Sequence, residues 1–544
     1  MAYFLKQSRL KGRTYLSIVE SFYHPEKKGT AHKTFKSLAS VESWIEQGID
    51  DPVAHFQKEV DALNAVKAED RTRKISDKSP EIRLGYFPLK SIMEKMQIKK
   101  YVDFFKMTTN FRFDLYSLLS SLVYARSVHP CSKSKTFHDV LPCLKVPYDF
   151  SYEQMLDGLS FLGQNYEKFV EICTVQAKEA YGINTSNTYF DSTNFYFEID
   201  REEPIVGLGL LLDRNQMPIG MKMFPGNESE RPVLRDIKQR LKYQDIIVGK
   251  TIHVADKGIN CAQNIAFSKK NGDGYLFSKS VKGLSETEKD WVLLDNGFRE
   301  AKDKDGRLLY KYKSCIDKFP YTVEHDGKDV QVMLTEKRLV TYSPSLAEKK
   351  RFEINRMVEK AKEMTVSKAK KSEYGEAGKY ISIRSSDGKN ADVSINRSAI
   401  DKDLMLAGYN LLVTSEVKMA DQDMYDTYHC LWRIEESFRI MKSDLDARPV
   451  FLHKEECIKG HFLICYIAVL LERIFQFKVL DNRYPATEIF EFIKGFRLAK
   501  TDVKYINTTK YTDFIDTLSG ILNLPLTNYY LTERQVKGIQ DYRL

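Results

Sequence analysis

The spacing of apolar residues changes along the chain and predicts a series of structural units. Residues 1–50 contain short alternating runs around a polar turn, as in Thr14–Val19, which predict a small β-hairpin domain. Residues 51–181 begin with a charged, polar stretch and continue with apolar residues at helical spacing, as in Leu115–Tyr124. We therefore expect this second region to be helical, with a solvated linker at its start.

A β-rich pattern then begins and predicts a central sheet over residues 182–278. It contains three β-type runs joined by turns, a helical stretch, a strand that ends at Asp256, a second helix and a last strand, Tyr275–Ser278. Three antiparallel strands, a helix, a parallel strand, a helix and a further strand make the element order of a ribonuclease-H-like sheet. We therefore expect an α/β core of that class.

The sheet pattern is interrupted by a long insertion. Residues 279–400 hold several short strand signals and predict a β-rich insertion domain. Residues 401–478 return to the core, with the strand Tyr409–Thr414 and one long helical stretch, Met424–Leu445. Weaker helical signals over residues 479–544 predict a helical C-terminal region.

Positive charge is concentrated in two segments. Lysine and arginine exceed aspartate and glutamate by 84 − 75 = 9. Met1–Lys36 carries eight basic residues against two acidic ones, and Lys349–Lys371 carries nine against three. Such clusters suit a polyphosphate partner, because binding releases condensed counterions, but a solvated surface explains either cluster alone equally well.

Other features limit the class of protein. The eight cysteines include no Cys-x-x-Cys pair, which disfavours a zinc site and a disulfide framework. The longest apolar run, Phe462–Leu471, is too short to cross ~30 Å of bilayer, and the N-terminus lacks an apolar signal core. We expect a cytoplasmic protein with reduced thiols and no membrane partner.

Two aspartates stand where a sheet could present them to a ligand. Asp191 interrupts a run of aromatic and β-branched residues, where an uncompensated carboxylate costs several kcal/mol. Asp256 ends a second strand just before Lys257-Gly258, at the kind of crevice where α/β proteins bind ligands. If the two strands are neighbours, both carboxylates could hold one divalent ion, and magnesium prefers such oxygen ligands. Taken singly, each aspartate is better explained by a structural role, Asp191 as a strand-turn residue and Asp256 as a helix cap.

A third carboxylate lies in the predicted helix Met424–Leu445. At about 100° per residue, positions 428, 435 and 442 form one stripe. That stripe holds Tyr428, Glu435 and Lys442, one metal ligand between two groups that bind phosphate, whereas a structural helix would place apolar residues there. Glu436 points ~100° away and suits a surface or helix-pair contact.

These residues resemble the insertion-sequence transposases of the Asp-Asp-Glu class that carry a Tyr-x2-Arg-x3-Glu-x6-Lys signature. Tyr428, Glu435 and Lys442 match its spacing, whereas Leu431 stands in place of the arginine that contacts the DNA end. Arg433 or Arg439 is a candidate to replace that contact. Four further segments look like family motifs: Tyr189–Thr193, Val254–Gly258, Phe224–Asn227 and Arg448–Phe451.

The resemblance implies a ribonuclease-H-like catalytic core with a β-rich insertion domain and cut-and-paste movement of a DNA element. Asp191, Asp256 and Glu435 would be both catalytic residues and ligands of two Mg2+ ions, with Mn2+ as a substitute. The partners would be double-stranded DNA with terminal inverted repeats and target DNA, bound by a homodimer in the synaptic complex. The protein would be bacterial, cytoplasmic and associated with the nucleoid.

The expected DNA contacts extend beyond the carboxylates. They comprise the helical region 51–181 and a set of individual side chains: Tyr428, Arg433, Arg439, Lys442, Lys349, Lys350, Arg351 and Trp291. Trp291, in the insertion, could stack on an extruded base, although packing in the core is the better explanation of this tryptophan.

Three alternatives remain open on the sequence. The first is a nuclease of the same fold that hydrolyses DNA without joining it. The second is a non-catalytic DNA-binding protein derived from a transposase. The third is a metal-free scaffold whose basic patches bind acidic proteins.

Overall fold

The computed structural model describes residues 2–24, 29–72, 80–196, 205–325, 328–364, 371–386, 390–501 and 504–544. The chain forms two compact units, Met1–Ser79 and Pro80–Leu544.

The first unit is a three-stranded antiparallel sheet with two helices. Its strands are β1 Tyr3–Leu10, β2 Arg13–His24 and β3 Gly29–Ser40, and its helices are α1 Val41–Glu46 and α2 Pro52–Thr72. Lys11 and Gly12 join β1 to β2 with φ of 49° and 81°, as the twist of a two-residue hairpin requires. The predicted hairpin therefore has a third strand, and the unit extends past residue 50 to include α2.

The second unit begins with helices and continues through the large sheet. Its helices are α3 Phe87–Lys95, α4 Ile98–Lys106, α5 Leu115–Val128, α6 Lys133–Lys135, α7 Tyr152–Gln164, α8 Tyr166–Tyr181, α9 Arg231–Tyr243, α10 Ala262–Lys270, α11 Glu286–Leu293, α12 Pro344–Met364, α13 Arg397–Met405, α14 Asp421–His429, α15 Trp432–Arg439, α16 Glu455–Ile474, α17 Ala486–Gly495, α18 Asp513–Leu522 and α19 Glu533–Gln540.

Within the described ranges, the strands of this unit form one large sheet and two small ones. They are β4 Glu81–Arg83, β5 Asn187–Tyr196, β6 Ile205–Asp213, β7 Pro218–Pro225, β8 Ile252–Ala255, β9 Gly274–Lys279, β10 Arg299–Lys302, β11 Leu308–His325, β12 Lys328–Tyr342, β13 Ile381–Ser386, β14 Asn390–Ile395, β15 Tyr409–Thr414, β16 Arg497–Lys500, β17 Tyr505–Asn507 and β18 Tyr530–Leu531.

The large sheet is mixed, and its nine strands in the described residues have the order β10-β11-β12-β15-β9-β8-β5-β6-β7. Strand β8 runs parallel to β5 and to β9, while β6 and β7 follow β5 as antiparallel neighbours. The chain is thus a mixed α/β protein, with helices packed on a large sheet.

A buried helix, α16, organises the packing beneath this sheet. Every residue from Phe462 to Ile474 is buried, and a helix that is apolar all round needs neighbours on every side. It packs against α5, α7 and α8. Gly163 on α7 and Gly460 on α16 allow the close approach of α7, because a Cβ at Gly163 would lie 1.7 Å from a backbone oxygen of α16.

The region 279–400 contributes to the large sheet as well as lying outside it. Strands β10, β11 and β12 continue the sheet, since β12 pairs with β15. The rest forms α12, α13, a 3-10 helix, Lys371–Tyr380, and the β13-β14 hairpin, around a small core of its own. The C-terminal region also contains three short strands, which join β4 in a four-stranded sheet. Among the described residues, no helix has the length and apolar character needed to cross a bilayer.

Candidate active site

The register of the parallel strands brings the two aspartates together. In the β5-β8 pair, Phe190 lies opposite Ala255, so Asp191 and Asp256 follow at the same edge of the sheet. Strand β9 lies parallel to β8 on its other side and pairs Phe277 with Ala255. Ser278 therefore reaches the same edge as the two aspartates. The condition that their strands be neighbours is confirmed.

Asp256 is held as a carboxylate by hydrogen bonds. The Ser278 hydroxyl donates to its Oδ1 over 2.7 Å and the Tyr428 hydroxyl over 2.9 Å. Burial raises the pKa of Asp256, but these bonds and one from the Lys257 backbone N–H outweigh it, so that its pKa lies below the ordinary value. Burial also raises the pKa of Tyr428, and its hydroxyl therefore keeps the proton that it donates.

The environment of Asp191 shifts its pKa in the opposite direction. Burial, together with the negative charges of Glu230, Asp256 and Glu435, raises its pKa to about 7. One hydrogen bond opposes this shift, from the Ser192 backbone N–H to Oδ1 over 2.8 Å. Asp191 thus lies in a cluster of acidic groups that no hydrogen bond fully compensates.

Glu435 and Lys442 approach the sheet edge from the helical segment after β15. Glu435 is exposed on α15 and acts electrostatically on Asp191. Lys442 lies in the π-helical turn Ile440–Asp444 that follows α15, and its ammonium donates to Thr193 of β5 over 2.5 Å. Tyr428, Glu435 and Lys442 therefore all face the ends of β5 and β8.

The predicted single helix Met424–Leu445 is interrupted. Helix α14 ends at His429 and α15 begins at Trp432. Leu431, in the break, is half-buried and packs against the main core. The side chain at this position of the signature therefore makes apolar contacts within the protein.

Glu436 has a structural environment. Its Oε2 lies 3.1 Å from Nη2 of Arg473, a fully buried residue of α16. Glu435 and Glu436, adjacent in sequence, thus point to different partners, the sheet edge and the buried helix.

The other predicted DNA-binding residues are spread over the second unit. Arg433 is half-buried, with its guanidinium 5.9 Å from the Trp432 ring centre, and Arg439 lies 3.8 Å from both Glu436 and Asp444. Trp291 is half-buried against a core cluster, and its carbonyl accepts a hydrogen bond from Lys313.

The basic cluster on α12 is exposed. Lys349, Lys350 and Arg351 are all exposed, and Lys350 forms an ion pair of 2.6 Å with Glu353. Lys350 also lines a cleft of about 360 Å³ that reaches Lys257 and Lys279. These two lysines directly follow Asp256 and Ser278, so the cleft leads from the sheet edge to α12.

Sequence reasoning missed Glu230. Its Oε2 accepts a hydrogen bond from the Ser192 hydroxyl, next to Asp191. It stands at the N-terminus of α9, in a turn whose apolar spacing gives no signal. With Arg231, Lys442 and Arg448 it lines a polar cavity of about 700 Å³ beside β5.

The donor chemistry at this edge suits a divalent cation. Within the described ranges, no three His, Cys, Asp or Glu side chains are grouped closely enough to hold a metal ion as they stand. The carboxylates of Asp191, Asp256 and Glu435 are nevertheless the hard oxygen ligands that magnesium prefers. Their mutual repulsion at Asp191 is what a bound cation would relieve.

A comparison with protein families indicates the class of protein independently of the site geometry. Residues 207–471 match the family model of the transposase DDE domain. The match includes Asp256 and Glu435, while Asp191 lies before its start. No curated protein matches the chain. The family match supports a transposase of the DDE class, an enzyme of DNA transposition and recombination that binds DNA.

Proposed function

Starting from the match to a transposase DDE domain, we propose that the protein is a cut-and-paste DNA transposase whose catalytic residues are Asp191, Asp256 and Glu435. The observation that carries this proposal is the parallel register of β5 and β8, which sets two aspartates side by side beneath the helix that bears Glu435. The order β7-β6-β5-β8-β9, with β5, β8 and β9 parallel, supports the ribonuclease-H-like core.

Two Mg2+ ions, replaceable by Mn2+, would be held by these three carboxylates and would supply Lewis-acid chemistry at a phosphodiester. The residues of the chain then have separate tasks. Ser278 and Tyr428 keep Asp256 ionised and oriented through hydrogen bonds to Oδ1. Lys442 offers a cation beside Thr193 to a phosphate oxygen of the strand that is cut.

Several surfaces would hold the DNA. Arg433 and Arg439 lie on the same helix as Glu435, and the α12 cluster connects to the site through the cleft lined by Lys257 and Lys279. We place Trp291 in packing, because it is half-buried against a core cluster. The substrate would be the inverted-repeat ends of a bacterial insertion sequence, brought together by a homodimer in the cytoplasm and then joined to target DNA.

The test uses the DNA that flanks the gene. A plasmid carrying those flanks is incubated with the full chain and Mg2+, and the products are sequenced. We expect cleavage at the inverted repeats, free 3′-hydroxyls and joined products, with none of these from Glu435→Gln. Cleavage without joined products would indicate a nuclease. DNA binding without cleavage would indicate a non-catalytic DNA-binding protein.

A further inference from the structure

A second cavity, of about 570 Å³, lies between α5, the segment around α6 and the loop that follows the helix of Glu435. Arg126, Lys133, Arg448 and His461 contribute to its wall. Among the described residues that line the cavity, one is acidic, Asp446, and it is exposed. The cavity is therefore rich in positive charge, and the proposed catalytic residues do not contribute to it.

Lys133 is the central group of this cavity. Its side chain is buried, with 7% of the residue exposed. The largest charge effects on it come from Arg126 and from the thiols of three cysteines, and no carboxylate is among them. Burial and the charge of Arg126 lower the pKa of Lys133 to about 7. Buried ammonium groups are normally paired with an anion, and among the described residues Lys133 has no such partner.

His461 fixes the direction of the lysine. The His461 Nε2 lies 3.1 Å from the carbonyl oxygen of Ala447, to which it donates, and Nδ1 is therefore the acceptor in this tautomer. Lys133 Nζ lies 3.5 Å from that Nδ1. Among the described residues, Lys133 Nζ makes no other hydrogen bond. Its remaining ammonium protons can therefore be donated to a ligand in the cavity.

Arg126 adds a second buried cation. It is 6% exposed, and its guanidinium donates to the carbonyl oxygens of Cys131, Leu445 and Asp446. These bonds orient the guanidinium but do not neutralise it. Two buried cations that border one cavity repel each other, and an anion placed there would stabilise both.

The cavity also adjoins the candidate active site. Arg448 lines both this cavity and the polar cavity that contains Lys442 and Glu230, and its charge acts on Lys442. The cations Lys442, Arg448 and Lys133 therefore form a series that begins at Thr193, near Asp191, and ends in this cavity.

We propose that the Lys133 cavity binds a phosphodiester of the DNA strand, a few nucleotides from the phosphate that is cut. This inference rests on the proposed function, since it requires DNA at the active site. Free inorganic phosphate has the same chemistry as a ligand, and the experiment separates the two sources.

The experiment measures binding of a fluorescent duplex of about 30 base pairs, taken from the DNA flanking the gene, without divalent metal. The full chain is compared with Lys133→Met and with the matched control Lys135→Met, which removes an exposed lysine two residues away. We expect Lys133→Met to lower affinity at least fivefold relative to the control. The slope of log affinity against log salt should also fall by about one, the value for one phosphate contact. Unfolding in urea shows whether Lys133→Met is folded; if it is not, Lys133→Gln, which can still donate to His461, takes its place.

The outcomes are distinct. Equal affinities of the Lys133 and Lys135 variants would overturn the phosphate site while leaving the proposed function intact. Absence of duplex binding by the unmodified chain would contradict the proposed function itself. If inorganic phosphate raises the melting temperature of the unmodified chain but not of Lys133→Met, while duplex affinity is unchanged, the ligand is free phosphate and the DNA contact is rejected.

Discussion

At the scale of single residues, the site gives different pKa values to two carboxylates that the sheet places side by side. Burial and neighbouring negative charges raise the pKa of Asp191 to about 7, whereas hydrogen bonds hold the pKa of Asp256 below its ordinary value. Groups whose environments shift their pKa values in opposite directions are typical of functional sites. The difference arises because burial and neighbouring carboxylates dominate at Asp191, whereas at Asp256 the hydrogen bonds from Ser278, Tyr428 and the Lys257 backbone N–H outweigh burial.

The first prediction concerns these two donors. Tyr428→Phe removes one hydrogen bond to Asp256 Oδ1 and Ser278→Ala removes the other, and each should lower the cleavage rate about tenfold, as for the loss of ~1–2 kcal/mol of charge-assisted bonding. The double variant should be worse than either. Cleavage rates of purified variants at saturating Mg2+ test this. Unchanged rates in both single variants would show that Asp256 needs neither donor.

The second prediction separates Glu435 from its neighbour. Glu435 is exposed and faces the sheet edge, so Glu435→Gln should abolish cleavage and leave the free energy of unfolding nearly unchanged. Glu436→Gln weakens the bond to buried Arg473 and should lower that free energy by about 1–3 kcal/mol, while the folded fraction still cleaves. Urea unfolding and cleavage assays on both variants provide the measurements. The opposite pattern would exchange the two assignments.

At the scale of elements, the buried helix α16 contains an acidic residue, Glu472. Glu472 is fully buried, and in the described part of the chain neither of its carboxylate oxygens has a hydrogen-bond partner. The nearest cation is Arg473, with Nε 3.9 Å away. Burial, together with the charges of Glu436 and Asp444, raises the pKa of Glu472 to about 7. Burial of the apolar surface of this helix therefore stabilises the fold, whereas burial of the Glu472 carboxylate destabilises it.

The third prediction follows from that carboxylate. The folded chain binds the Glu472 proton more tightly than the unfolded chain, so this residue favours folding at low pH. Its contribution is lost as the pH rises from about 4.5 through about 7. Glu472→Gln should leave stability at pH 5 nearly unchanged and raise the free energy of unfolding at pH 8 by up to about 3 kcal/mol. Denaturant unfolding at both pH values measures this. The control is Glu455→Gln, an exposed glutamate at the start of the same helix, which should show no such difference.

The elements also show what a sequence can and cannot indicate. The two strand runs that carry Asp191 and Asp256 could be predicted from their apolar and β-branched residues, but their adjacency could be stated only as a condition, because strand pairing between distant segments is not recorded in either run. The break between α14 and α15 could not, since no glycine or proline lies between Tyr428 and Trp432. Glu230 was missed because it lies in a turn, and its proximity to Ser192 depends on the packing of α9. The joining of β12 to β15 depends on pairing between distant segments, which periodicity does not record.

At the scale of the whole molecule, the basic residues form a route to the site. The α12 cluster is 93 or more positions from Asp256 in sequence, since 349 − 256 = 93 for Lys349. The cleft lined by Lys257, Lys279 and Lys350 nevertheless connects the two. A polyanion that follows this cleft would gain contacts over its length, and each neutralised phosphate would release counterions.

The fourth prediction tests whether DNA passes along α12. Because Lys350 is paired with Glu353, Lys349 and Arg351 are the clearer probes. Lys349→Gln combined with Arg351→Gln should weaken duplex binding and flatten the slope of log affinity against log salt by about two, one for each lost phosphate contact. The matched control is Lys269→Gln with Lys270→Gln, which removes two exposed lysines at the end of α10. Affinities are measured between about 50 and 200 mM salt. Equal slopes for the two double variants would mean that the loss reflects net charge alone and that the DNA does not pass along α12.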